Sequence, residues 1–159
     1  MLDPIATKAD DAVPPADPNI VMAIEDKMVS AGCEAARSLV RAQIGLEIAD
    51  ATGVGTNRRD PQGISDLQVP VLLARDQAQH PIAAMLICSM HPTVLHEDST
   101  LISADFPGLA RRRLQRDLLD ENCPVLYHTG PAGDQSPRHV TRGNTFAEAD
   151  RLGGILAAA

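Results

Sequence analysis

From Pro18 onward apolar residues return at helical intervals: Ile20, Val21, Ile24, Met28, Cys33, Ala36, Leu39 and Val40. Glu25, Asp26, Lys27, Glu34 and Arg37 fill the positions between them. This spacing keeps one stripe apolar and predicts a helix of about six turns. Asp17 stands where an N-cap is expected, with Pro18 in the first helical position and Gly32 as a weak point inside. The period then changes. Ile44, Leu46 and Ile48 alternate with small or polar residues, which predicts a half-buried strand over residues 42–48. Residues 51–63 are rich in Gly, Thr, Asn, Arg and Asp and read as a loop.

Two apolar runs follow, Val69 to Ala74 and Ile82 to Met90, with a polar turn from Arg75 to Pro81 between them. They predict an antiparallel strand pair, and the second run, apolar throughout, is expected to lie inside the sheet. His91 to Thr100 is a polar loop. Asp105 ahead of Phe106-Pro107 reads as an N-cap opening a helix to about Leu119. Pro124 to His128 forms a short strand, and the Gly- and Pro-rich segment Thr129 to Asn144 is too long to be a mere connection. Thr145 and Glu148 make the T-x-x-E pattern of a capping box for a last helix from Phe146. The order helix, strand, hairpin, helix, strand, helix predicts an α/β fold, a mixed sheet with flanking helices. Residues 1–17, acidic and Pro-rich without periodicity, are expected to be a flexible lead-in, and 18–159 the folded domain. The apolar finish Leu152-Gly-Gly-Ile-Leu-Ala-Ala-Ala159 suggests part of something larger.

Composition narrows the function. Among 159 residues there are one Tyr, two Phe and no Trp, so the core must be aliphatic and no base-stacking platform is available. A net charge of −7 opposes a nucleic-acid backbone as partner. The run Arg111-Arg112-Arg113 with Arg116 is offset by Asp117, Asp120 and Glu121 and reads as a solvated helix face. Cys33, Cys88 and Cys123 form no CxxC pair, which argues against a zinc finger or a thioredoxin-type site. No secretory leader is visible, and Ile82–Met90 is too short to cross a bilayer. Composition favours the cytoplasm.

Two polar clusters leave the ends of predicted central strands, where sheet proteins commonly place ligands. One is Ser89-Met90-His91-Pro92-Thr93, the other Gly130-Pro-Ala-Gly-Asp-Gln-Ser-Pro-Arg-His139. Adjacent strands would bring both to one edge. A histidine there is able to bind a metal through one ring nitrogen while the other is held by an acceptor. Taken singly, His91 also reads as a structural histidine and Ser136 as a turn residue. Pro137 has no amide hydrogen, so any oxyanion donor must come from a metal, an Arg or another amide. His80 is expected to be solvated and His96, beside Glu97 and Asp98, exposed. His128 is a candidate to approach the serine loop from a strand end. His139 either neighbours the nucleophile or caps the loop.

Gly133-Asp134-Gln135-Ser136-Pro137-Arg138 resembles the G-D-V-S-P-N motif of the neutral/alkaline, non-lysosomal ceramidases. His91-Pro92-Thr93, then Ser103-Ala104-Asp105 and Gly108-Leu109-Ala110, resemble that family's H-P-T, S-x-D and G-x-A. Asn57-Arg58-Arg59 falls at its N-R-S. The resemblance, in family order, covers residues 18–159. It implies a zinc amidase cleaving the N-acyl bond of a ceramide-like lipid, with Ser136 as nucleophile, His91 as a zinc ligand and Arg58 beside the developing negative charge. Asp134, His128 and His139 are then possible supporting residues. The family's H-x-H-S-G-P-G segment and its downstream Glu and Tyr ligands have no counterpart in this sequence. One zinc with an incomplete shell is therefore expected, its missing parts supplied by a longer chain. Gln135 for Val and Arg138 for Asn leave the amide substrate open. The competing expectations are a non-catalytic binding or assembly module and a metal-free serine hydrolase using His128 or His139.

Overall fold

A computed structural model describes residues 16–96 and 98–159, which fall into two compact units divided between Val40 and Arg41. The expectation for the lead-in lies outside the described residues up to position 15, as does Glu97. The first unit holds helix α1, Pro18–Arg37. Asp17 caps it as expected, its carboxylate accepting from the Asn19 amide at 2.8 Å, and Pro18 needs no partner in the first turn. The helix runs unbroken through Gly32.

The second unit is built on a four-stranded sheet of β1 (Gln43–Asp50), β3 (Gln68–Arg75), β4 (Pro81–Cys88) and β5 (Val125–Thr129), in the order β1-β3-β4-β5. A separate two-stranded ribbon joins β2 (Thr56–Asn57) to β6 (Gln135–Ser136). Strands β3 and β4 pair antiparallel across the predicted turn, which Asp76 organises by accepting from the His80 amide at 2.9 Å. Strand β4 is interior, as its unbroken apolar run required, and on its far side it pairs parallel with β5. A parallel pair needs a crossover. Here the crossover contains helix α2 (Asp105–Asp117). Helix α3 (Phe146–Ala158) follows the serine loop and packs against α2.

Alternation along the strands sorts their side chains onto two faces. Val69, Ala84, Leu86, Cys88 and Val125 form one face and join Phe106, Ala110, Ala149, Leu152 and Leu156 of the two helices in a single buried core. The register places Ile44, Leu46 and Ile48 on the other face with Leu72, Met85, Ile87 and Leu126. Among the described residues of this unit no element packs on that face. Ile44, Leu46 and Ile48 are 72%, 59% and 54% exposed, so the half-buried strand expected here is a strand with its apolar side open. The helices both lie on the opposite face.

Two helix starts differ from expectation. Asp105 is not the N-cap of α2: Ala104 holds that position without a side-chain bond, and Asp105 is the first helical residue, with φ +51°. Its buried carboxylate accepts instead from the amides of Val94 and Leu95, at 3.0 and 2.9 Å, and from Phe106. Those loop amides would otherwise be buried without partners, and that demand outweighs capping. At α3, Thr145 caps the Glu148 amide at 3.2 Å, yet Glu148 does not reach back to complete the box. Its carboxylate takes the Arg142 amide and pairs with Arg151 at 2.6 Å.

Helix α3 comes close to α2 at Gly153, where a Cβ would stand 2.8 Å from the Phe106 carbonyl oxygen and 2.9 Å from the Ala110 nitrogen. Both neighbours are backbone and cannot swing aside. Gly153→Ala is therefore expected to force the helices apart and cost about 1–3 kcal/mol, read by urea denaturation. The Arg151 guanidinium holds the Glu148 carboxyl well below its usual 4.5, at about 2. A carboxylate whose pKa is depressed by folding stabilises the fold above its ordinary value and loses that contribution as it protonates. The stability advantage of wild type over Glu148→Gln should therefore hold at neutral pH and vanish between about 4.5 and about 2, in denaturation curves across that range.

Candidate active site

Parallel pairing of β4 with β5 sets Cys88 opposite Thr129, so both strands leave the sheet at one edge. The chain after β4 runs Ser89, Met90, His91; the chain after β5 runs through Gly130 to the serine loop. Gly130 donates its amide to the Cys88 carbonyl at 3.0 Å, tying the two exits together. A Cβ at Gly130 would meet the Ser89 hydroxyl at 2.6 Å, so the two exits cross closely here. Beneath the exits the half-buried Tyr127 directs its hydroxyl toward the carbonyls of Cys88 and Met90, at 3.4 and 3.5 Å. Burial pushes the Tyr127 hydroxyl strongly upward in pKa, which keeps it a donor. Phe106 of α2 stands edge-on to its ring at 6.4 Å.

His91 is fastened at two points. Its amide donates to the Gln135 carbonyl at 3.0 Å, and its ring Nδ1 lies 2.7 Å from the Ala132 carbonyl oxygen. A carbonyl only accepts, so Nδ1 carries the hydrogen and the Nε2 of the neutral ring is left with its lone pair. This is the arrangement that prepares an imidazole to bind a metal. Among the described residues, however, no three His, Cys, Asp or Glu side chains gather into a metal-holding group. A catalytic zinc takes about three protein ligands. His91 fits as one of them; the described residues do not form the site.

Ser136 lies in β6 and is only 3% exposed. Its hydroxyl oxygen accepts from the Arg138 amide at 3.3 Å, which opens a single 3-10 turn over Pro137–His139. Among the described residues its own hydrogen finds no acceptor. Pairing of β2 with β6 sets Thr56 against Ser136 and Asn57 against Gln135. The sequence predicts plain loop for both strands of this ribbon, because two-residue strands carry no periodicity.

Arg58 follows directly. Its amide donates to the Asp134 carbonyl at 2.7 Å and its guanidinium to the Gly133 carbonyl at 2.7 Å. His139 Nε2 lies 3.2 Å from the Arg58 carbonyl and donates to it. Asp134 accepts from the Asn57 amide group at 3.1 Å. His91, Arg58, Asp134, Ser136 and His139 thus share one cluster. His128 does not join it: paired opposite Ile87, it lies exposed on the open sheet face and makes no hydrogen bond to the serine loop. His80 is exposed in the hairpin turn and His96 in the loop, as expected.

Asn57, which the sequence marks only as the first residue of the N-R-S match and without a role, is a brace of the serine loop. Besides Asp134 it donates to the Ile64 carbonyl at 3.2 Å, and its side-chain oxygen receives the amides of Arg59 and Asp60, at 3.0 and 3.2 Å. Gly55 also escaped notice. A Cβ there would fall 2.9 Å from the Ser136 carbonyl oxygen and against the Met90 sulfur.

No protein-family model matches the chain, and no curated protein matches it in sequence. Solved structures do. The neutral ceramidase of Pseudomonas aeruginosa superposes with a TM-score of 0.69 at 19% identity, over 84% of this chain and 24% of its own. A structure described as ceramidase complexed with C2 superposes at 0.63 and 18% identity, over 74% of this chain and 21% of its own. The fold is ceramidase-like. The chain spans about a quarter or less of the ceramidases it matches. No helix among the described residues is long and apolar enough to cross a membrane.

Gly55→Ala should strain the ribbon, because the Ser136 backbone cannot retreat without breaking the β2–β6 pairing. The expected cost is about 1–3 kcal/mol in urea denaturation, with shifted amide resonances at Thr56, Met90 and Ser136. Unchanged stability and spectra would show that the ribbon yields freely.

Proposed function

We propose that this chain is the serine-bearing segment of a ceramidase-like amidase that cleaves an N-acyl amide bond in a ceramide-like lipid. The observation that carries the reading is the convergence of His91, Arg58 and Ser136 on one loop cluster at the exits of β4 and β5. The ceramidase-like fold supports it. The segment involved is 18–159, and the activity of a whole enzyme belongs to this proposal.

Each residue has a part. Ser136 supplies the oxygen that attacks the amide carbon; its proton passes to the departing amine, leaving an acyl ester that water then hydrolyses. The Arg58 guanidinium, anchored by one arm to Gly133, directs its remaining charge at the oxyanion. His91 offers Nε2 as one zinc ligand, held in orientation by Ala132. Since the described residues do not complete a zinc site, the further ligands must come from outside them. A second reading, a non-catalytic binding or assembly module, is favoured by the burial of Ser136 and by the lack of a complete ligand group among the described residues.

The two readings separate on incubating the chain, within the longer protein that supplies the further ligands, with zinc(II) and a short-chain N-acyl sphingosine, followed by peptide mapping. The amidase reading expects slow acylation of Ser136, absent in Ser136→Ala and lowered about 100-fold in Arg58→Met, the scale of losing one oxyanion donor. It also expects bound zinc that is lost in His91→Ala. A folded chain that neither retains zinc at His91 nor acquires an acyl group at Ser136 overturns it and leaves the module.

A further inference from the structure

Gln135 has every polar group occupied. It is 5% exposed, and its side-chain oxygen accepts the Asp66 amide at 2.5 Å while its side-chain nitrogen donates to the Pro131 carbonyl at 2.9 Å. Its backbone amide donates to the Ala132 carbonyl at 3.2 Å, and its backbone carbonyl receives the His91 amide at 3.0 Å. Asp66 is in turn fixed by the Ser89 hydroxyl at 2.9 Å, at the exit of β4. One residue therefore joins the approach to β3, the exit of β4 and the turn after β5.

We propose that Gln135 is a positioning residue that sets the orientation and tautomer of the His91 imidazole. It acts through the turn Pro131–Gln135, whose Ala132 carbonyl takes the Nδ1 hydrogen. The side chain clamps the Pro131 carbonyl, one peptide before that acceptor, to the Asp66 amide. Without it the backbone bond from Gln135 to Ala132 persists, but the turn loses its outside anchor. An apolar side chain here would also take their partner from the Asp66 N–H and the Pro131 carbonyl. The placement of His91 is a matter of geometry, and only its functional meaning rests on the amidase reading.

Long-range proton–nitrogen correlation spectra of the isotope-labelled chain test this, at a pH where the ring is neutral. Wild type is expected to show His91 wholly protonated at Nδ1. Gln135→Met keeps the length of the side chain and removes both of its bonds. With the Val125 and Leu152 methyl signals unmoved, it should give a mixture of the two tautomers and exchange of the Asp66 amide faster by about tenfold. Should that variant fail to fold, Gln135→Glu keeps the acceptor for Asp66 and loses the donor to Pro131. It should mix the tautomers without speeding the Asp66 exchange. A folded variant with His91 still wholly protonated at Nδ1 overturns the proposal and leaves the amidase reading intact. Wild type protonated at Nε2 removes the Ala132 bond and the proposal with it. Failure to acylate Ser136 sinks the amidase reading alone, because it does not alter these spectra.

Discussion

The parallel pairing of β4 with β5 is the constraint from which the site follows. A parallel neighbour sends two consecutive strands out of the sheet in the same direction, so that the segments after Cys88 and after Thr129 emerge side by side. Had β5 joined antiparallel, His91 and Ser136 would have left at opposite ends. Such a pairing costs a long crossover. The chain uses that crossover well: α2 lies within it and covers the sheet, and Asp105 at its start holds the amides of Val94 and Leu95, just beyond the His91 turn.

Once the exits are adjacent, short-range polar chemistry finishes the arrangement. The serine loop is too long and too rich in glycine to hold a shape by itself, and most of its order is borrowed. Arg58 grips Gly133 and Asp134, Asn57 grips Asp134, Gln135 reaches Asp66, and the β2–β6 ribbon pins Ser136. Backbone carbonyls of this loop serve as the acceptors that orient side chains, Ala132 for His91 above all. A loop braced from so many sides is rigid, and rigidity is what a reacting constellation needs. The same bracing buries the serine.

Much of this was legible beforehand. Helical periodicity located α1, two apolar runs located β3 and β4, and the Asp-Phe-Pro start located α2, each to within a few positions, and the unbroken apolar run of β4 marked it as interior. Both loops of the site were found because each begins where a strand pattern stops. What was missed lies at short range in structure and long range in sequence. Two-residue strands have no period to detect. The N-cap pattern at Asp105 and the box pattern at Thr145–Glu148 were real patterns whose carboxylates found better partners, buried loop amides in one case and Arg142 with Arg151 in the other. His128 was assigned by its closeness in sequence to the serine loop, whereas strand alternation turns it onto the open face.

By itself the order of apolar and polar residues determined which segments become helix or strand and which loops hold the polar chemistry, because those outcomes depend on neighbours a few positions apart. Only the tertiary structure decided which sheet face α2 and α3 cover, that His91 turns its Nδ1 to Ala132, and that Asn57 and Gln135 are the braces. Each of those depends on backbone groups tens of residues away, whose unpaired N–H and carbonyl groups accept whichever side chain folding delivers within hydrogen-bonding reach.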